Sequence, residues 1–298
     1  MARRQRLGPI DANFWDIFTL VFGAVLMLLN TILYAYAMFN HRYPPLRAKN
    51  LRLISVLWLC TLIWFIGIIG TNFNLNHLFG FPGSCLLFGL WFRILLGIFA
   101  FVFIHILRLY TYIRIFRHCR RVTYWVYVWG IAIYLAIILG YGIPMSVLQD
   151  QLTVHYYRPL HTCGYGGLFT ELSFSVVWAG WAGVAVTAFF ARNINTSFRE
   201  YREMLVIIGL CSAAILYETI THHIRRQYTI HRWSRVISSL AEYMACHTSL
   251  GVLLGVPAYN CIFNREEYRR RFFRKMQAGG LASRYGLALP STDMRSGA

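Results

Sequence analysis

The sequence predicts an all-α fold: a seven-transmembrane helix bundle followed by a short amphipathic interfacial eighth helix. Two observations carry this prediction. Of the 298 residues, 57% are hydrophobic and only 13% are charged, whereas about 25% of the residues in a soluble domain are charged. Apolar stretches of about 20 residues, the length that crosses the hydrocarbon core as a helix, occur seven times along the chain.

The seven predicted spans are joined by short connections. They cover residues 15–39, 51–71, 85–112, 124–148, 167–191, 204–222 and 236–262. The first is too long for the apolar region of a signal peptide and has no small-residue cleavage signal, so we interpret it as a retained helix. The sixth gives the weakest signal, because it is short and contains Glu218.

The eighth helix is predicted over residues 263–277. Asn264 is a good N-cap, and Glu266 and Glu267 favour the first turn of the helix that follows. Aromatic residues recur near helical spacing with basic residues around them, which is typical of a helix that lies in the membrane surface. Pro257 can kink the end of the seventh span just before this helix.

The distribution of positive charge predicts the topology. With the N-terminus outside, 19 Lys and Arg residues lie in inner segments and 8 lie in outer ones. The positive-inside rule therefore predicts an extracellular tail at 1–14, the bundle at 15–262 and a disordered cytoplasmic tail at 278–298. The expected location is the plasma membrane, with an internal membrane as the alternative. The glycosylation sequon at Asn195 would then be cytoplasmic and unused.

Other function classes fit the sequence poorly. The basic residues lie mostly between apolar spans, so we expect them to face membrane lipids and not nucleic acid.

A retinal protein needs a lysine in the seventh span, but Lys49 and Lys275 both lie outside the spans, and no cofactor is predicted. A metallohydrolase needs convergent ligands, whereas His105, His118 and His247 differ too much in depth, so no enzyme activity is predicted.

Two of the seven cysteines lie on the predicted outer side. Cys85 opens the third span, and Cys163 lies in the loop before the fifth. Because that side of the membrane is oxidising, a disulfide between them is plausible. It would hold the loop over the mouth of the bundle. The alternative is two free thiols.

One cation and three carboxylates fall within the outer third of the predicted spans, on four different helices. They are Arg93, Glu171, Glu218 and Glu242. Ionisable residues in a membrane are costly and face a water-filled space or a partner. We therefore expect Arg93 to face the bundle interior and to approach at least one of the three. The group could line a polar cavity for an extracellular ligand, an anion if Arg93 is the anchor, or form a structural ion pair; the two interpretations are compatible.

The segment 221–235 is predicted to be the last outer loop. It carries four Arg and three His residues and no acidic residue. This charge suits an anionic ligand or a lipid headgroup. The alternative is a solvated loop with no binding role.

Several motifs together resemble those of a G-protein-coupled receptor. They are the Cys85 and Cys163 positions, the run from Leu107 to Tyr110 at the inner end of the third span, and Pro257 and Tyr259 leading into the eighth helix. The segments "YPPLRAKNLRLI" and "FGLWFRILLGIFAFVFIHILRLYTYIRIF" look like the seven-helix part of fungal receptor-like proteins. The resemblance covers about 15–276. Some of those relatives carry a G-protein-regulating domain after the bundle, for which the tail here is too short.

The resemblance implies a receptor that senses an extracellular ligand and signals to a cytoplasmic heterotrimeric G protein. It implies that Arg108 restrains the inactive state through Tyr259 or a carbonyl group and contacts the G protein once released. The resemblance also implies that four further residues take part in coupling to the G protein or in switching the receptor between states: Tyr110, Arg114, Arg117 and Pro257. The alternative is that the arginines only set the topology.

A membrane transporter or channel with a polar outer cavity is the other function that we consider. Charge inside the spans permits it, although the prolines show no matched repeat of the kind found in many transporters. A transporter would accumulate labelled ligand in vesicles, and a receptor would not.

Overall fold

The predicted fold class is confirmed. The computed structural model describes residues 14–72, 85–116, 122–148, 152–157, 162–192, 200–224 and 232–278. Within these ranges, seven helices are long and apolar enough to cross a membrane, and an eighth helix follows them. The two predicted tails lie outside the described residues, except for Phe14 and Ala278 at their edges.

The structure gives the following elements in chain order. They are α1 Phe14–Phe39, α2 Pro44–Arg47, α3 Leu51–Asn72, a π-helical segment Leu86–Phe99, α4 Ala100–Phe116, α5 Tyr124–Val147, β1 Val154–Tyr157, β2 Thr162–Tyr165, α6 Gly167–Ala191, α7 Glu200–Ile224, α8 Arg232–Phe263 and α9 Arg265–Ala278. The π-helical segment and α4 together form the third span. The sixth and seventh spans, α7 and α8, are longer than predicted.

The third span is the central helix of the bundle. Of its most apolar window, 61% is buried, against 17% for α5. Its N-terminal part, Leu86–Phe99, has the wide turn of a π-helix, and only its C-terminal part is α-helical. Such wide turns are rare and often lie at functional sites.

The N-terminal part of the third span lies directly against α3 at Gly67. A Cβ atom added to Gly67 would lie 2.6 Å from the backbone nitrogen of Arg93. Because any side chain would collide there, the glycine lets the two backbones approach. This contact sets the position of Arg93 beside α3.

A short β-hairpin lies between α5 and α6, where the sequence predicted only a loop. Its strands β1 and β2 are antiparallel, with Val154 opposite Tyr165 and Tyr156 opposite Cys163. Val154 and Cys163 are buried in a hydrophobic cluster that also contains Phe169 at the start of α6. We call this end of the bundle the hairpin end, and the opposite end, where α1 finishes and α3 begins, the basic end.

The basic end is held together by contacts between distant parts of the chain. Tyr43 donates a hydrogen bond of 3.1 Å to the backbone oxygen of Arg265. This bond connects the loop after α1 to α9, which is the predicted eighth helix. The Nζ atom of Lys49 lies 2.6 Å from Oε2 of Glu203 on α7. The helix α8 continues through Pro257 up to Phe263, so the proline does not end it.

Candidate functional site

A cavity of about 120 Å³ lies at the hairpin end between the third, fifth, sixth and seventh spans. Most of its wall is apolar, including Trp64, Ile94, Phe101, Phe169, Phe174 and Trp181. Three charged side chains also line it: Arg93, Glu218 and Glu242. The cavity is therefore an apolar space with a few charged groups, the usual composition of a small-molecule site.

Arg93 and Glu242 form a buried ion pair in this wall. The Nε atom of Arg93 donates to Oε2 of Glu242 at 3.2 Å, and Nη2 donates to Oε1. The whole-residue exposures are 5% for Arg93 and 6% for Glu242. The prediction that Arg93 faces the interior and approaches a carboxylate is confirmed, with Glu242 as the partner.

Further hydrogen bonds surround the guanidinium group of Arg93. Its Nη1 atom donates to Thr71 at 3.2 Å and to the hydroxyl of Tyr165 at 3.1 Å. Trp64 donates to Oε2 of Glu242 at 2.8 Å. Burial raises the pKa of the Tyr165 hydroxyl, so this phenol stays neutral beside the cation. The network joins α3, the third span, the hairpin and α8.

The ion pair has a structural role and a place in the cavity at once. Removing one partner of a buried pair costs about 3–5 kcal/mol, because the other charge is left without compensation. The same two side chains line the cavity. The sequence suggested a structural ion pair and a polar cavity as compatible interpretations. In the structure, Arg93 and Glu242 form the ion pair and also line the cavity.

Glu218 is a second carboxylate in the cavity wall. It lies on α7, is 8% exposed, and accepts a hydrogen bond from Ser238 on α8. The described residues of the wall therefore carry one guanidinium group against two carboxylates. Glu218 is thus a second carboxylate of this wall, beside the pair of Arg93 and Glu242.

Glu171 lies outside the cavity, contrary to the expectation that it shares a site with Arg93. Its side chain is 53% exposed. Its carboxylate oxygens lie 3.4 Å from Nε2 of His222 and 3.6 Å from Nε2 of His223. The reason is helix rotation: Glu171 points away from the bundle axis, on the side of α6 that meets the end of α7.

The predicted loop 221–235 is mostly helical in its described part. Residues 221–224 belong to α7 and 232–235 to α8, and 225–231 lie outside the described residues. Arg235 is buried, and its Nη2 atom lies 3.3 Å from Oδ1 of Asp16 on α1. The acidic partners that the loop itself lacks thus come from other helices.

The sequence reasoning missed Asp16 and Tyr165. Asp16 is an acidic residue in the first turn of α1, at the hairpin end, and the rule that drew attention to Arg93 applies to it equally. Nothing in the sequence pointed to Tyr165, because its position depends on the hairpin.

The predicted disulfide is present. Cys85 and Cys163 are bonded, with their Cα atoms 5.6 Å apart. The bond joins the start of the third span to β2, the strand that ends with Tyr165. It therefore holds the hairpin over the cavity and fixes the backbone near a hydrogen-bond partner of Arg93.

The residues assigned to switching lie at the basic end in different environments. Arg108 is buried, whereas Tyr110 and Tyr259 are exposed and Arg114 is partly buried. The ring of Tyr259 packs against Phe263, with ring centroids 4.8 Å apart. Arg117 lies outside the described residues.

No protein-family model matches this chain, and no curated protein matches it either. The resemblance to fungal receptor-like proteins therefore stays a prediction from the sequence.

Proposed function

We propose that this protein is a seven-helix receptor of the G-protein-coupled kind, which binds a small extracellular ligand in the cavity and signals to a heterotrimeric G protein at the basic end. One observation carries the proposal: a cavity lined by buried charges lies under a disulfide-held hairpin. Charges buried inside a membrane bundle are costly and mark functional sites by default.

The arrangement of spans supports a link between the cavity and the opposite end. The third span contributes Arg93 to the cavity and carries Arg108 near its other end. The helix α8 contributes Glu242 and continues to Tyr259. A ligand shifts a conformational equilibrium only through contacts that differ between the two states. Contacts that bridge Arg93 and Glu242 are suited to this, since they couple two spans that run the full depth of the bundle.

The charges of the cavity favour a ligand that is a small cation with an apolar body. An anionic ligand was suggested by Arg93 as anchor, but the guanidinium group is already bound to Glu242. The carboxylate of Glu218 lines the cavity and can accept a hydrogen bond from an ammonium group in addition to the one from Ser238, because a carboxylate offers about four acceptor sites. The aromatic walls suit an apolar group. A small primary amine with an aromatic ring has this chemistry.

The signalling part is tested by nucleotide exchange. Full-length protein is reconstituted in vesicles with heterotrimeric G protein from the source cell, and exchange is measured with a series of small aromatic amines. We expect an amine to accelerate exchange, and Arg108→Ala to abolish the effect at a normal receptor level. Normal exchange in that variant would leave the inner arginines with a topological role only.

The same vesicles separate the receptor from a transporter or channel. We expect no accumulation of labelled amine beyond the amount that binds. Accumulation without an effect on exchange would replace the receptor proposal by transport.

We further propose a plasma-membrane location with the hairpin end outside. The count of positive charges supports this orientation of the hairpin end. A fluorescent tag at the C-terminus gives the location, and protection of that tag from added protease in intact cells gives the side. Glycosylation of Asn195 in the native protein would contradict this orientation.

A further inference from the structure

A groove runs along the side of the bundle between α3, α4 and α5, starting at the basic end. Its volume is about 1270 Å³. The rim of the groove is basic and is formed by His41, Arg42, Arg47 and Arg52. Apolar side chains line the rest, among them Val56, Phe103 and Ile131.

The groove is as deep as one leaflet of a bilayer. Along α3 its lining extends from Leu51 to Ile63, and along α5 from Tyr124 to Tyr134. With a rise of 1.5 Å per residue, these stretches are about 15–18 Å long, which is roughly half of a hydrocarbon core of about 30 Å. A phospholipid with its headgroup at the rim would place one acyl chain along this length.

Hydrogen bonds define both ends of the groove. At the deep end, Tyr134 donates to the backbone oxygen of Leu95 at 2.8 Å. At the rim, Asn50 donates to the hydroxyl of Tyr127 at 3.2 Å. The groove is therefore a bounded site whose walls are held together at the top and at the bottom.

The arginines of the rim have the charge of a phosphate site. Arg42, Arg47 and Arg52 are exposed, and none of the ion pairs found among the described residues involves them. Their neighbour Lys49 differs, since it is buried and bound to Glu203. The described lining of the groove contains no acidic side chain, so no carboxylate of that lining offsets the positive charge of the rim.

We propose that the groove holds one molecule of an anionic phospholipid, with its phosphate between Arg42, Arg47 and Arg52 and one acyl chain along the apolar wall. Basic pockets between spans on the cytoplasmic side bind anionic headgroups. The positive-inside count assigns the basic end to that side, and anionic lipids concentrate in that leaflet. The site does not depend on the receptor function.

The rim is tested with full-length protein in detergent and 1-palmitoyl-2-oleoyl phosphatidylserine, whose binding is measured by native mass spectrometry. Each arginine near an anionic headgroup is worth about fivefold in affinity, so the triple variant R42Q/R47Q/R52Q should bind roughly 100-fold more weakly. The control R269Q/R270Q/R271Q removes the same charge from α9 and should bind nearly as the wild type does. An equal loss in both variants, or equal wild-type binding of phosphatidylcholine, would overturn the proposal.

The apolar wall is tested by a matched pair on α5. Ile131 lines the groove and Ile133 does not, and their exposures are 54% and 55%. Ile131→Trp should weaken lipid binding because it fills the groove, whereas Ile133→Trp should leave it unchanged. Dibutanoyl phosphatidylserine should compete poorly. Competition as strong as that of the long-chain lipid, or equal binding by both tryptophan variants, would show that the groove does not hold a chain.

Discussion

The two ends of the bundle differ in how their arginines are placed. At the hairpin end, Arg93 and Arg235 are buried, and each is bound to a carboxylate on another helix. At the basic end, Arg42, Arg47 and Arg52 are exposed along the rim of a groove. A buried charge must be compensated by the protein, whereas an exposed one can be compensated by lipid headgroups or water. The hairpin end therefore keeps Arg93 and Arg235 inside, paired within the protein, whereas the basic end presents Arg42, Arg47 and Arg52 to the surroundings, although Lys49 there is buried and bound to Glu203.

The largest effect expected from this comparison is that of Arg93→Ala. The variant leaves Glu242 buried without its cation, which should cost about 3–5 kcal/mol of stability. The measurement is thermal unfolding of detergent-purified protein, together with the yield of folded protein. Arg93→Ala/Glu242→Ala should be less destabilised than the sum of the two single variants. Simple additivity would show that the pair does not act as a unit.

The disulfide should have the next largest effect. Cys85→Ser/Cys163→Ser frees the hairpin and should lower stability by about 2–4 kcal/mol. Thermal unfolding of the wild type with and without a reducing agent should show a shift of the same size. An unchanged midpoint in both experiments would mean that the hairpin stays in place without the bond.

Gly67→Ala should cause the third largest loss of stability, because the new Cβ atom would collide with the backbone of Arg93. Overpacking of this kind costs about 1–3 kcal/mol. Gly140→Ala on α5 is the matched control, since a Cβ atom there meets nothing within 4 Å. It should be neutral or stabilising, as alanine favours a helix by up to about 1 kcal/mol over glycine. Equal thermal midpoints for the two variants would contradict the close contact.

The smallest effect is expected at the basic end. Arg271 and Glu267 form an ion pair on α9, but their side chains are 62% and 60% exposed. Exposed pairs contribute at most about 1 kcal/mol, and i,i+4 pairs about 0.3–0.5 kcal/mol. Arg271→Ala should therefore leave the thermal midpoint almost unchanged. A loss as large as that of Arg93→Ala would remove the contrast between the two ends.

The sequence predicted the features that depend on local composition. Span lengths follow from apolar runs, and the pairing of Arg93 follows from the cost of a lone charge in hydrocarbon. Which carboxylate pairs with it did not follow, because Glu171 and Glu242 differ in helix rotation, which is set by packing between helices. The hairpin and the π-helical segment depend on contacts with distant parts of the chain, such as the approach of Gly67, and single-sequence patterns do not encode those contacts.

The central claim is that the cavity at the hairpin end binds a small cation through Glu218. The most direct measurement is the thermal midpoint of the purified protein with 2-phenylethylamine and its homologues, and with 3-phenylpropanoate as the anionic counterpart. At a concentration of about 100 Kd, binding adds about 2.7 kcal/mol to the stability. We expect the amine to raise the midpoint of the wild type and of Glu171→Gln, but not of Glu218→Gln. Stabilisation by the carboxylate instead, or an undiminished effect of the amine on Glu218→Gln, would contradict the claim.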